Sequence, residues 1–165
     1  MARLRLAFAA LALCMASACA QSPMPASAAP AVDRADPAAA FVGRWAYVQS
    51  CGWQHSAELE FAAAPDGIGG TWNDGTRVRG DSGELRGIPR DGKLFLRFCR
   101  DADGKMSDAC PNFGPEQSYV ARKGEQLAWY RNHGADGYRE YLSLHRVVAG
   151  AAIPTDDVCP EDDAH

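Results

Sequence analysis

Hydrophobic and polar residues alternate in short runs along most of the chain, and turn-forming residues separate the runs. In residues 57–62, Leu59 and Phe61 alternate with Glu58 and Glu60, which predicts a strand with one buried and one solvent-facing side. The Gly, Asp, Asn and Pro residues between runs are typical of antiparallel turns. The pattern predicts strands at 43–50, 57–62, 68–72, 76–79, 84–88, 93–99, 118–122, 126–131 and 138–147.

Three local features refine this pattern. The Asn-Asp-Gly sequence at 73–75 predicts a tight hairpin turn, because these residues readily adopt left-handed conformations. The segment 80–83 has a Gly at each end and interrupts the alternation, which predicts a bulge or a turn. In the last strand, alternation puts Tyr141, Ser143 and His145 together on the outward face.

The predicted fold class is all-β, a small antiparallel meander of eight or nine strands. We expect the strands to close into a barrel, because closure removes the exposed edges that otherwise aggregate. A chain of 165 residues with 47% hydrophobic content suits one domain of modest core. The barrel is expected at 41–148, followed by an acidic C-terminal tail at 149–165.

Residues 1–18 have the composition of a secretory signal peptide. Arg3 and Arg5 come first, then an apolar run, then small side chains. The apolar run is about ten residues long, too short for a helix to cross the roughly 30 Å of membrane hydrocarbon. The chain is therefore predicted to be exported.

The Ala-Ser-Ala-Cys sequence ending at Cys19 resembles a bacterial lipobox, in which the cysteine is lipidated and becomes the new N-terminus. The resemblance implies an outer-membrane lipoprotein that faces the periplasm and contacts the membrane only through its acyl anchor. Residues 19–40, rich in Ala, Pro and Ser, would then form a disordered tether. The alternative is ordinary cleavage after Ala20, which would release a soluble periplasmic protein.

Four of the six cysteines lie in the predicted folded region, and an even number in an exported chain predicts two disulfides. Three pairings are open. We favour Cys99 with Cys110, because the polar loop between them lets its ends meet, and this leaves Cys51 with Cys159. The second bridge would hold the acidic tail against the first strand. No Cys-x-x-Cys pair occurs, so a redox or zinc motif is not expected.

The charge is acidic and becomes more so after export. Loss of Arg3 and Arg5 with the leader lowers the 17 Lys and Arg by two against 21 Asp and Glu. The mature net charge is then about −6. Such a surface disfavours nucleic acid and favours a basic protein partner, which it would attract over a distance.

Gly43 and Trp45 open the first strand, and Arg146 ends the last one. This arrangement resembles the calycin barrels, the lipocalins and avidins, in which the indole of a Gly-x-Trp sequence packs under an Arg at the closed end. The resemblance implies that Trp45 and Arg146 close one end of the barrel. A calycin-like carrier of a small apolar ligand is therefore one functional alternative.

A second resemblance concerns the segment 47–51, which ends in a cysteine, and the Ser-Gly pair at 82–83. They are similar to the bacterial membrane-bound inhibitors of c-type lysozyme, in which a Ser-Gly-x-x-Tyr loop enters the lysozyme cleft. Leu85 and Arg86 stand where that family has its Tyr. The resemblance implies a basic muramidase as partner, and the expected partner-binding residues are Ser82, Gly83, Glu84, Arg86 and Trp53.

No constellation of residues predicts catalysis, a metal or a cofactor. The four His show no ligand spacing, and adjacent His55 and Ser56 point to opposite faces of a strand, which disfavours a catalytic dyad. We therefore expect a non-catalytic envelope protein that binds a protein partner and inhibits it, either a lysozyme-like muramidase or a toxin, with the carrier or a structural lipoprotein as alternatives. Some of the many Trp and Tyr side chains would serve as anchors for that partner.

Overall fold

The structure, a computed structural model, describes residues 36–101 and 106–156. In this part of the chain eight strands form a closed antiparallel barrel, as predicted, with each strand paired to the next and β8 to β1. A single turn of 3-10 helix, Gly134–Asp136, precedes β8. The strands are β1 Gly43–Val48, β2 Ser56–Ala64, β3 Gly67–Thr76, β4 Arg79–Arg90, β5 Lys93–Phe98, β6 Ser118–Lys123, β7 Gln126–Asn132 and β8 Tyr138–Arg146.

The interior of the barrel is packed with apolar side chains. Alternate residues of each strand point inward, because successive side chains in a strand face opposite sides of the sheet. The middle layers are almost completely shielded from solvent. They consist of Leu59, Phe61, Leu85, Leu94, Leu96, Val120, Leu127 and Leu144.

The hairpin formed by β3 and β4 differs from the prediction. Residues 73–75 are not a turn, and 80–83 are neither a bulge nor a turn, because the two strands pair without interruption from Ile68↔Gly87 to Thr76↔Arg79. The chain turns at 77–78 instead. The predicted strands 68–72 and 76–79 therefore belong to a longer hairpin, and the barrel has eight strands, the lower of the two numbers expected.

The glycines of this hairpin have a packing role. An ideal Cβ on Gly75 would lie 2.7 Å from the Cα of Gly80 on the opposite strand, closer than real side chains come. Glycine is needed at position 75 because the two backbones approach closely. In the sequence, the same glycine follows Asn and Asp and therefore predicts a turn. Asp74, which would have been in the turn, is thereby placed inside β3 opposite Asp81.

A bulge in β8 corrects the prediction for Tyr141. Trp129 of β7 pairs with Leu142, but the next residue, Tyr130, pairs with Glu140, so Tyr141 is an extra residue. A bulge changes the direction of a side chain. Tyr141 consequently packs against the barrel core instead of pointing outward with His145.

The disulfide predicted between Cys99 and Cys110 is present, with a Cα–Cα distance of 4.9 Å. It closes part of the long connection between β5 and β6. Cys159 lies outside the described residues, so its pairing with Cys51 stays a prediction. The signal peptide, Cys19 and most of the tether also lie outside them, and the described residues contain no helix long and apolar enough to span a membrane.

Candidate functional site

The two ends of the barrel differ in construction. The closed end carries the short turns at 65–66, 91–92 and 124–125, and the open end carries the connections 49–55, 77–78, 99–117 and 133–137. The long connections and the disulfide are at the open end. Loops of this kind on a rigid scaffold are where binding residues concentrate.

Trp45 plugs the closed end. Its side chain is fully buried, and its indole Nε1 donates a hydrogen bond of 2.9 Å to the carbonyl oxygen of Phe41. The guanidinium carbons of Arg146 and Arg122 lie 5.3 and 4.6 Å from the Trp45 ring centre, within cation–π range. Gly43 lets Arg146 approach, since a Cβ there would lie 3.1 Å from a guanidinium nitrogen. This is the arrangement expected from the calycin resemblance.

Two adjoining cavities open at the other end. The larger has a volume of about 710 Å³ and the smaller about 560 Å³, and Asp74 and Asp81 line both. These volumes are within the range of small-ligand sites. The larger cavity is lined by Trp72, Asp74, Asp81, Phe98, Arg100, Ser107, Asp108, Phe113, Gly114, Pro115, Gln117, Ser118, Trp129, Arg131 and Asn132.

Polar side chains cluster around Asp74, which lines both cavities. The Asp74 carboxylate is only 10% exposed, and it pairs with the Arg131 guanidinium and with His55, whose Nε2 lies 2.6 Å from Oδ1. The Tyr141 hydroxyl donates to Asp74 Oδ2 at 3.0 Å. Its ring also lies 3.6 Å from the Arg131 guanidinium carbon. Buried charges need such partners, so the four side chains form one unit.

Burial raises the pKa of Tyr141 to about 12, and the neighbouring Asp74 adds to the increase while Arg131 opposes it. The phenol therefore stays protonated at neutral pH and acts as a hydrogen-bond donor. A proton-accepting or nucleophilic role at this position is disfavoured, because either would need the phenolate.

Two tryptophans line the larger cavity from below. Trp72 Nε1 donates to the carbonyl oxygen of Cys99 at 2.9 Å, which fixes the indole against the β5–β6 connection. Trp129 is 1% exposed, and its Nε1 has no hydrogen-bond partner among the described residues. A buried donor without a partner is uncommon in folded proteins.

Exposed apolar side chains surround the mouth. Trp53, in the β1–β2 connection, and Val78, in the β3–β4 turn, are each 64% exposed, and Met106 is exposed on the β5–β6 connection. The Arg77 amide donates to the Trp53 carbonyl oxygen at 3.1 Å, which ties two of these loops together. The residue after Trp53, Gln54, has φ 52°, a left-handed conformation that non-glycine residues seldom adopt.

The predicted partner-binding residues do not form one surface. Gly83 points into the barrel, where an added Cβ would lie 2.1 Å from the carbonyl oxygen of Cys99, and the Ser82 hydroxyl donates to Asp101 Oδ2 at 3.2 Å. Glu84 and Arg86 are exposed on the outer face of β4. The Ser-Gly pair thus lies within a strand, where it cannot enter a cleft as a loop would. Trp53 is the member of the set that presents an exposed apolar side chain at the open end.

The sequence analysis missed the cluster around Asp74. The inward position of Arg131 could have been predicted, since alternation along β7 places it on the same side as Leu127 and Trp129. Within residues 36–101 and 106–156, no group of three His, Cys, Asp or Glu side chains is arranged to hold a metal ion. The residues that line the open end offer hydrogen bonds, charges and aromatic surface.

No family model matches this chain, and neither curated proteins nor solved structures give a match. The eight-stranded barrel is compatible with a calycin-like architecture.

Proposed function

We propose that this is a non-catalytic cell-envelope protein that binds a protein partner at the open end of its barrel. The observation that carries the proposal is the exposure of Trp53 and Val78 beside the 560 Å³ cavity. Large exposed apolar side chains next to a concavity are characteristic of interaction sites. Trp in particular is enriched among the residues that dominate binding energy.

The loops that carry these side chains are partly organised before binding. The hydrogen bond between Arg77 and Trp53 links their backbones, and Gly75 and Gly80 hold the β3–β4 hairpin in close contact below the turn. A surface that is ordered in advance loses less entropy when it binds. This supports a protein interface at the mouth over a set of unrelated exposed side chains.

A basic muramidase is the partner that we propose. Support comes from the acidic composition, which attracts a basic protein, and from the resemblance of segment 47–51 to the lysozyme inhibitors. The contact would be made by Trp53 and its neighbours and not by Ser82 and Gly83, because the latter lie within β4. Anchoring through Cys19 to the outer membrane would place this contact in the periplasm.

The test compares two pairs of exposed apolar residues. Trp53→Ala combined with Val78→Ala is expected to weaken binding to a panel of purified muramidases at least about tenfold, measured by calorimetry. Ile88→Ala combined with Val148→Ala is the matched control, since these side chains are 50% and 59% exposed away from the mouth. Equal loss in both double variants, or no binding by the unmodified protein, would refute the proposal.

The apolar-ligand carrier is a weaker candidate. Its ligand would need an apolar interior, whereas Leu59, Leu96 and Leu127 fill the middle of the barrel and are 0% exposed. The open cavities adjoin buried and exposed charges instead, which an apolar molecule would have to desolvate. A structural envelope lipoprotein is the third alternative, and it would bind none of the muramidases.

A further inference from the structure

The larger cavity at the open end has no free cation among the residues described around it. Arg131 pairs with Asp74, and the Nε of Arg100 lies 3.3 Å from Asp108 Oδ2. Each arginine that lines the cavity is thus neutralised by a carboxylate. A carboxylate or phosphate ligand would have to compete with these pairs, so the cavity is poorly suited to an anion.

Two groups in the cavity, one donor and one acceptor, are suited to a ligand. Trp129 Nε1 is a buried donor without a partner among the described residues, and Asp81 is an exposed carboxylate that lines the cavity. A ligand that fits must accept a hydrogen bond near the floor and donate one near the rim. A hydroxyl group does both, whereas an ammonium group only donates.

Aromatic rings supply the apolar part of the cavity wall. Phe98 and Phe113 are both partly exposed, and each lines the cavity. Phe98 is held by ring contacts with Trp72 and Trp129 at 5.1 and 5.9 Å between ring centres. Small-ligand sites typically combine aromatic surface with a few well-placed polar groups.

The geometry points to a small neutral ligand rich in hydroxyl groups, a sugar ring, bound in this 710 Å³ cavity between Trp129 and Asp81. On binding, the Trp129 indole shifts so that its Nε1, which is closed to solvent in this structure, donates to one hydroxyl. Other hydroxyls donate to the Asp81 carboxylate, and the C–H face of the ring packs against Phe98 and Phe113. This site is independent of the proposed protein interface, which uses the exposed side chains of the rim. Either one can fail without the other.

Indole N–H signals in ¹H–¹⁵N NMR spectra of the purified protein provide a direct test. The chain has four tryptophans, so it gives four such signals, which single Trp→Phe variants assign. Titration with neutral mono- and disaccharides, namely glucose, N-acetylglucosamine, maltose and chitobiose, is expected to shift the Trp129 signal. The Trp45 signal is the internal control, because that indole is bonded to Phe41 at the closed end.

Two variants locate the site. Trp129→Phe keeps an aromatic ring but removes the donor, and Asp81→Ala removes the acceptor; each is expected to weaken sugar binding about tenfold. For Trp129→Phe the binding is followed through the Trp72 signal. Glu84→Ala is the matched control for Asp81, since Glu84 is an exposed acid of the same strand on the outer face.

Each outcome of the sugar titration either supports or overturns the proposed site. A Trp129 shift that saturates with a sugar and weakens in both variants supports the proposal. No shift with any sugar overturns it, and so does equal binding by Asp81→Ala and the unmodified protein. A Trp129 shift caused by an uncharged, N-acetylated tripeptide amide but by none of the sugars would also overturn it and would identify the cavity as a peptide site.

Discussion

The two ends of this barrel use arginine in opposite ways. At the closed end Arg146 and Arg122 lie over the Trp45 ring, and Arg146 also donates to the Val42 carbonyl oxygen, so the cations cover an apolar plug. At the open end Arg131 lies over Tyr141 and is directed into the barrel, where it pairs with the largely buried Asp74. One end excludes water from a core, and the other keeps polar groups beneath an open cavity.

This difference separates stability from binding. A fully packed aromatic plug stabilises through burial and leaves no group available to a ligand. A buried polar cluster adds little net stability, because the desolvation of its charges offsets their attraction, but it fixes side chains in defined positions. We therefore expect mutations at the closed end to change the free energy of unfolding, and mutations at the open end to change binding as well.

The largest expected effect comes from Trp45→Ala. Removing a fully buried Trp loses its transfer free energy and leaves a cavity, which lowers the free energy of unfolding by about 4 kcal/mol. Urea unfolding followed by circular dichroism measures it. Trp45→Phe keeps a ring but loses the hydrogen bond to Phe41 and part of the buried ring volume, so its effect should be smaller, about 2 kcal/mol. A loss for Trp45→Ala no greater than that for Trp45→Phe would contradict the plug.

Asp74→Asn is expected to have the next largest effect, about 3 kcal/mol, because it removes the charge of a carboxylate that is only 10% exposed and is the shared acceptor of its three partners. The same urea experiment measures it. Asp136→Asn is the control, since the pair between Asp136 and Arg139 is exposed and should contribute less than about 1 kcal/mol. Asp74→Asn should also shift the indole signal of Trp129, which Trp45→Phe should leave in place. Similar losses for Asp74→Asn and Asp136→Asn would show that the cluster is not a unit.

The sequence predicted the barrel and its closed end because both depend on repeated or paired signals. Alternating residues identify a strand several times over, so a misjudged turn at 73–75 does not change the fold. Trp45 and Arg146 occupy the first and last strands, which any closed antiparallel meander brings together. A misplaced turn or strand boundary therefore does not change the predicted barrel or its closed end.

The open end could not be predicted in the same way, because its residues depart from the local rules. Asp74 stands in an Asn-Asp-Gly sequence that resembles a turn, and only the pairing of β3 with both neighbours shows it inside a strand. Tyr141 would face outward without the bulge, and alternation contains no sign of an extra residue. Functional sites are where such local inconsistencies are expected.

The smallest expected effect is the pH dependence that Tyr141 gives to stability. Its pKa rises from 10.0 to about 12 in the folded protein, so the neutral phenol is favoured by folding. A raised pKa stabilises the fold fully below the unfolded value and loses that contribution as the pH rises from about 10 to 12. The free energy of unfolding should therefore decrease over this range, and Tyr141→Phe should decrease less, because it has no proton to lose. Urea unfolding series at increasing pH, with tyrosinate absorbance recorded in parallel, test this. If both proteins lose stability equally, the buried hydroxyl does not control alkaline stability.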